Sequence, residues 1–87
     1  MRSRRMDIYT VYVDLMEGAS TDDYDALRQL MRREFKISPI TPIGQTPVYF
    51  SPLFSPLPPI PLREQIERRI KESVKPDHPV VKVIVVE

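Results

Sequence analysis

No cysteine occurs in these 87 residues, which removes disulfides, thiolate zinc sites and a cysteine nucleophile together. Glycine is nearly as scarce, at two positions (Gly18 and Gly44), so glycine-rich phosphate loops and dinucleotide fingerprints have nothing to be built from. Tryptophan is absent and histidine occurs once, at His78, with no G-x-S-x-G or HExxH spacing anywhere. No apolar run approaches the ~20 residues of a membrane helix. The basic start MRSRR is followed by an acidic, alternating segment, not by the apolar stretch of a signal peptide. These absences lead us to expect a cytoplasmic chain with no membrane partner and no cofactor.

Charge of one sign is also lacking. The net charge is +1, and three of the 13 cations (Arg2, Arg4, Arg5) lie in the leader. Met6 offers an alternative start, from which 10 cations would face 12 anions. We expect residues 1–6 to be a flexible basic leader and 7–87 a single domain. Area scaling for a chain of this mass leaves roughly 5,300 Å² exposed out of about 14,800 Å² unfolded, enough for a thin core.

What the chain has is alternation, two amphipathic stretches and proline. Residues 8–15 (IYTVYVDL) keep strict period-2 faces, with Tyr9, Val11, Val13 and Leu15 on the better core face. After a loop holding Gly18, Ser20 or Thr21 can cap a helix whose first turn carries Asp22, Asp23 and Asp25 at the positive end of its dipole. Tyr24, Leu27, Leu30, Met31 and Phe35 form its buried stripe. Residues 37–43 (ISPITPI) are β-branched, yet Pro39 and Pro42 confine them to a sheet edge. Residues 48–50 read as a short inner strand, 62–74 as a second helix with the stripe Leu62, Ile66, Ile70 and Val74, and 80–86 as the last strand. The i, i+4 pairs Glu64/Arg68 and Glu67/Lys71 lie in the favourable order.

The resulting order, β-α-β-β-α-β, predicts an α+β fold: a ferredoxin-like sandwich with a four-stranded antiparallel sheet and both helices on one face. The other face would then show Ile8, Thr10, Tyr12, Asp14, Tyr49, Lys82, Ile84 and Val86, which is too apolar for open water. A second copy of the chain, or another protein, is the expected cover.

Eight of the ten prolines fall between residues 39 and 61, and LPPIPLR (57–63) spells a docking peptide for an aromatic groove. The same stretch reads as an ordered crossover over 51–61 whose Pro61 opens the second helix, with Phe54, Leu57 and Ile60 available to a partner. Three polar sites stand beside plainer readings. Asp14, Glu17, Asp22, Asp23 and Asp25 could gather around a hard cation, or could simply serve a capped helix. His78 could act as an acid or base, or be a solvated turn residue. Arg28, Arg32, Arg33, Arg68 and Arg69 could line up as a strip for an RNA backbone, or be a solvated face laced with glutamates.

The segment TVYVDL…DYDALRQLM..EF, a strand ending in an acidic residue followed by a D-Y-x-x-L-x-x-x-M helix and an aromatic, resembles the GhoS-type family of type V antitoxins. It is similar, more distantly, to the small CRISPR-associated protein of the spacer-acquisition complex. The resemblance covers about residues 8–50 and implies the same ferredoxin-like fold. It also implies a metal-dependent endoribonuclease or an RNA-binding antitoxin, with Asp14 as the catalytic or metal-binding position. The residues themselves point first to a small non-catalytic interaction module, and fit a phage or plasmid inhibitor of a host protein equally well.

Overall fold

A computed structural model describes residues 6–16, 18–74 and 82–87. The chain runs β1 (Asp7–Asp14), α1 (Thr21–Phe35), β2 (Val48–Ser55), α2 (Pro59–Ser73) and β3 (Lys82–Val86). Three strands form one antiparallel sheet in the order β2-β1-β3. The alternation of β1 is realised as read: Tyr9, Val11, Val13 and Leu15 are buried against the helices. Tyr24, Leu27, Leu30 and Met31 of α1 and Leu62, Ile66 and Ile70 of α2 close the same core, so both helices cover one side of the sheet.

The start of α1 follows from its capping residues. Ser20 Oγ accepts the Asp23 N–H (3.2 Å), and the Ser20 N–H donates back to Asp23 Oδ2 (2.9 Å), a closed capping box. The helix ends where Lys36 adopts the left-handed conformation (φ 58°) and its N–H reaches the Met31 carbonyl. Of the two i, i+4 pairs expected on α2, Glu67–Lys71 forms, at 3.8 Å.

Three expectations need correction. Residues 37–43 are not a strand: they make one bridge, Pro39 to Phe50, with the Ile40 N–H on the Tyr49 carbonyl (2.8 Å). Pro39 and Pro42 have no N–H to extend it, and the Tyr49 N–H goes to Thr41 Oγ1 (2.8 Å) instead of to a strand carbonyl. Among the described residues the sheet therefore has three strands where four were expected.

The inner strand, in turn, is longer than 48–50. It passes through Pro52 to Ser55 because Thr10 of β1 faces two residues, Ser51 and Pro52, at a bulge between the Tyr9–Leu53 and Val11–Phe50 pairs. The bulge takes the residue without an N–H out of the ladder, and Thr10 Oγ1 donates to Ser51 Oγ (3.2 Å) across it. The 51–61 crossover thus shrinks to residues 56–58. Finally, α2 begins at Pro59 and not Leu62, since Pro59 and Pro61 both sit in the first turn, where helix N–H groups lack partners anyway. Residues 1–5 of the expected 1–6 leader, Glu17, the turn with His78 and the first two residues of the expected last strand lie outside the described residues.

A candidate interaction face on the open side of the sheet

The side of the sheet away from the helices carries an apolar strip. Register places Tyr49, Tyr12 and Ile84 in one row across β2, β1 and β3, and the Pro39 bridge brings Ile40 level with Tyr49 at its end. Tyr12 and Tyr49 meet edge to face with ring centroids 5.1 Å apart, a favoured aromatic geometry. A second row runs from Phe54 to Ile8, and Val86 lies opposite Thr10. At the far end Asp14 faces Lys82. Ile8, Ile40, Tyr49, Phe54, Ile84 and Val86 are all exposed, and Phe54 is 55% so. Tyr12 is half-covered by its neighbours, and this burial, with a smaller push from the Asp14 charge, holds its phenol above the ordinary tyrosine range.

Ile8, Tyr12, Tyr49, Ile84 and Val86 thus sit together as expected on the open face. Phe54 joins them from an unexpected place, since it belongs to β2 and not to a loop. Its signal was in the sequence: the in-out alternation of Val48, Tyr49 and Phe50 resumes one step late after Pro52, with Leu53 in and Phe54 out. Ile40 was missed because an interrupted edge segment gives little reason to assign it a face. Leu57 does not belong. It packs partly into the core, and its carbonyl accepts the Tyr9 hydroxyl at 2.7 Å. Ile60 is exposed, but on the first turn of α2, away from the strip's registered rows.

The acidic group around the loop after β1 is spent on local structure. Asp14 Oδ1 accepts the Met16 N–H (2.8 Å), Asp23 closes the capping box, and Asp25 lies 3.7 Å from the Arg28 guanidinium. Among the described residues, no three His, Cys, Asp or Glu side chains gather in a metal cage.

The expected arginine strip is dispersed. Arg69 forks onto both carboxylate oxygens of Glu34 (2.7 Å each) and also reaches Glu72 (2.7 Å), which ties α2 to α1. Through these bonds Arg69 pulls the Glu34 carboxyl below the ordinary glutamate range. Arg28 is folded inward, with its side chain 14% exposed, and Arg33 approaches Glu34 only at 3.9 Å. Arg32 and Arg68 are exposed. No helix among the described residues is long and apolar enough to cross a membrane. In comparison with known proteins, no protein-family model, no curated protein and no solved structure matches this chain.

Proposed function

We propose that this chain is a small non-catalytic interaction module, ferredoxin-like in plan, that works as a homodimer through the open face of its sheet. Residues 39–41 stand beside β2 where the fourth strand of that plan would run. The observation that carries the reading is the apolar strip from Ile40 through Tyr49 and Tyr12 to Ile84, with the Phe54–Ile8 pair beside it. Eight residues of β1 at ~3.4 Å each, across four backbone segments ~4.8 Å apart, make a face of about 27 by 19 Å. That is the scale on which a standard interface of about 800 Å² per partner is built. Among the described residues its charges, Asp14 and Lys82, are of opposite sign, so there a second copy would meet no field of like charge.

The endoribonuclease or RNA-binding reading draws less from the geometry. Asp14 is engaged by a backbone N–H, and three of the five arginines, Arg28, Arg33 and Arg69, lie within 4 Å of protein carboxylates. Light scattering across a concentration series tests the dimer, with alanine at Tyr12, Ile84 and Val86 expected to shift the equilibrium to monomer. A strict monomer at millimolar concentration removes the proposal. Salt-sensitive retention of RNA that is lost in Arg32→Ala/Arg68→Ala, without dimerisation, would replace it with the rival.

A further inference from the structure

The open face changes character along its strands, and this order limits how a second copy can sit on it. Register sorts its described residues into levels two residues, or about 7 Å, apart. Asp14 and Lys82 make a charged level at one end. Tyr49, Tyr12 and Ile84 make the next. Thr10 and Val86 make the third, where the Ser51 hydroxyl joins them 3.2 Å from Thr10 Oγ1. Phe54 and Ile8 close the far end. A hydroxyl-bearing level is thus flanked by two apolar ones, and the charges stand outside all three.

Sheets that pack face to face lie about 10 Å apart with their strands within about 30° of one another, so two identical sheets stack either parallel or antiparallel. A two-fold axis along the strands gives the parallel stack. Set over β1, it lays Asp14 on Asp14 of the second copy and the Ser51 hydroxyl on Val86. Moved between β1 and β3, it pairs Asp14 with Lys82 but leaves Tyr49 and Phe54 of β2 uncovered by any described strand.

A two-fold axis across the strands at the level of Thr10 meets neither penalty. It lays Tyr12 on Ile8 of the second copy and Tyr49 on Phe54, each contact made twice. Val86 meets its own counterpart, with Ile84 against its flank. The Thr10 and Ser51 hydroxyls face their counterparts, where buried polar groups find partners directly or through one water. Asp14 and Lys82 fall beyond the strand ends of the other copy and stay hydrated, which spares the cost of burying charge.

We propose that two copies of this chain stack with antiparallel strands about a two-fold axis that crosses the sheets at Thr10. The arrangement rests on the open-face dimer proposed above and specifies how its halves meet.

The chain has no cysteine, so single cysteines report on the axis without background. Thr10→Cys and Asp14→Cys are each treated with a short bismaleimide at a concentration where the unmodified chain is dimeric. Thr10→Cys should give covalent dimer at least tenfold faster than Asp14→Cys. In a mixture, Tyr49→Cys and Phe54→Cys should link to one another faster than either links to itself. Equal rates at positions 10 and 14, or faster linkage at 14, overturn the arrangement and leave the dimer standing. Lys82→Glu checks the same point without a cross-linker. In the antiparallel stack the two Asp14 residues lie about 27 Å apart at ~3.4 Å per residue, well past the ~10 Å Debye length at 0.1 M salt. Its dissociation constant by sedimentation should therefore stay within about threefold of the native value, whereas a weakening of about tenfold or more overturns the antiparallel stack. A strict monomer in the unmodified chain at millimolar concentration removes the open-face dimer itself, and this arrangement with it.

Discussion

Phe54→Thr separates the open face from the fold, because more than half of the ring is open in the monomer and threonine keeps a residue suited to a strand. Phe54 is 55% exposed, so with about 200 Å² for a whole aromatic side chain roughly 110 Å² of ring is open to water. A twofold contact that covers it on both copies buries about 220 Å², worth about 5 kcal/mol at 25 cal/mol per Å² as a ceiling. Partial coverage and repacking that keep half of this would still weaken the dimer about 100-fold. Sedimentation velocity from micromolar to millimolar protein reads that shift directly. Monomer stability, followed by urea unfolding at the lowest concentration, should fall by no more than about 2 kcal/mol, the ceiling for the roughly 90 Å² of ring that the monomer itself covers. The reasoning fails if association is unchanged while stability falls by several kcal/mol. That outcome would mean the ring serves the fold and not a partner.

Three further outcomes follow from the packing. Ile66→Ala, at a fully buried position of α2, should cost about 2–5 kcal/mol in denaturant unfolding, a large part of what a domain of this size has; a loss under 1 kcal/mol would place Ile66 outside the core. Ser20→Ala opens the capping box and should cost about 1 kcal/mol with α1 otherwise intact by circular dichroism, whereas an unchanged midpoint would show the cap to be idle. Glu34 has a lowered folded-state pKa, so its share of stability is complete above the ordinary glutamate range and drains as pH falls through the folded value. The midpoint gap between the native chain and Glu34→Gln should therefore be present at neutral pH and close in acid. A pH-independent gap would contradict the Arg69 fork as its source.

Much of this architecture was legible wherever a residue's own preference agreed with its tertiary setting. Ser20 or Thr21 with aspartates after them placed the start of α1 to within one residue, with Ser20 the cap, and the period-2 faces of β1 sorted core from open side correctly. Proline was where local reading fell short, because its effect depends on what lies opposite. Pro39 and Pro42 reduced an edge strand to one bridge, while Pro52, equally unable to donate, was carried through β2 by a bulge that only the partner strand defines. Pro59 and Pro61 extended α2 toward the N-terminus instead of delaying it. The candidate sites divide along the same line. The open face was readable because strand alternation alone sets it. The fates of Arg28 and Arg69 were not, since they depend on how the elements pack and which carboxylates that packing brings near each guanidinium.

Its prolines give the sheet two chemically unlike borders. β3 presents a free ladder of backbone donors and acceptors, guarded among the described residues by Lys82 alone, whereas the border beyond β2 holds Pro39, Pro42 and Pro52. Strand-to-strand growth needs a templating border on each side of every unit. A copy that docked through β3 would offer the next arrival only the proline side, which cannot propagate a ladder. Any pairing of copies through β3 would therefore end at two chains, a closed pair where a fully β-competent sequence would seed a fibre.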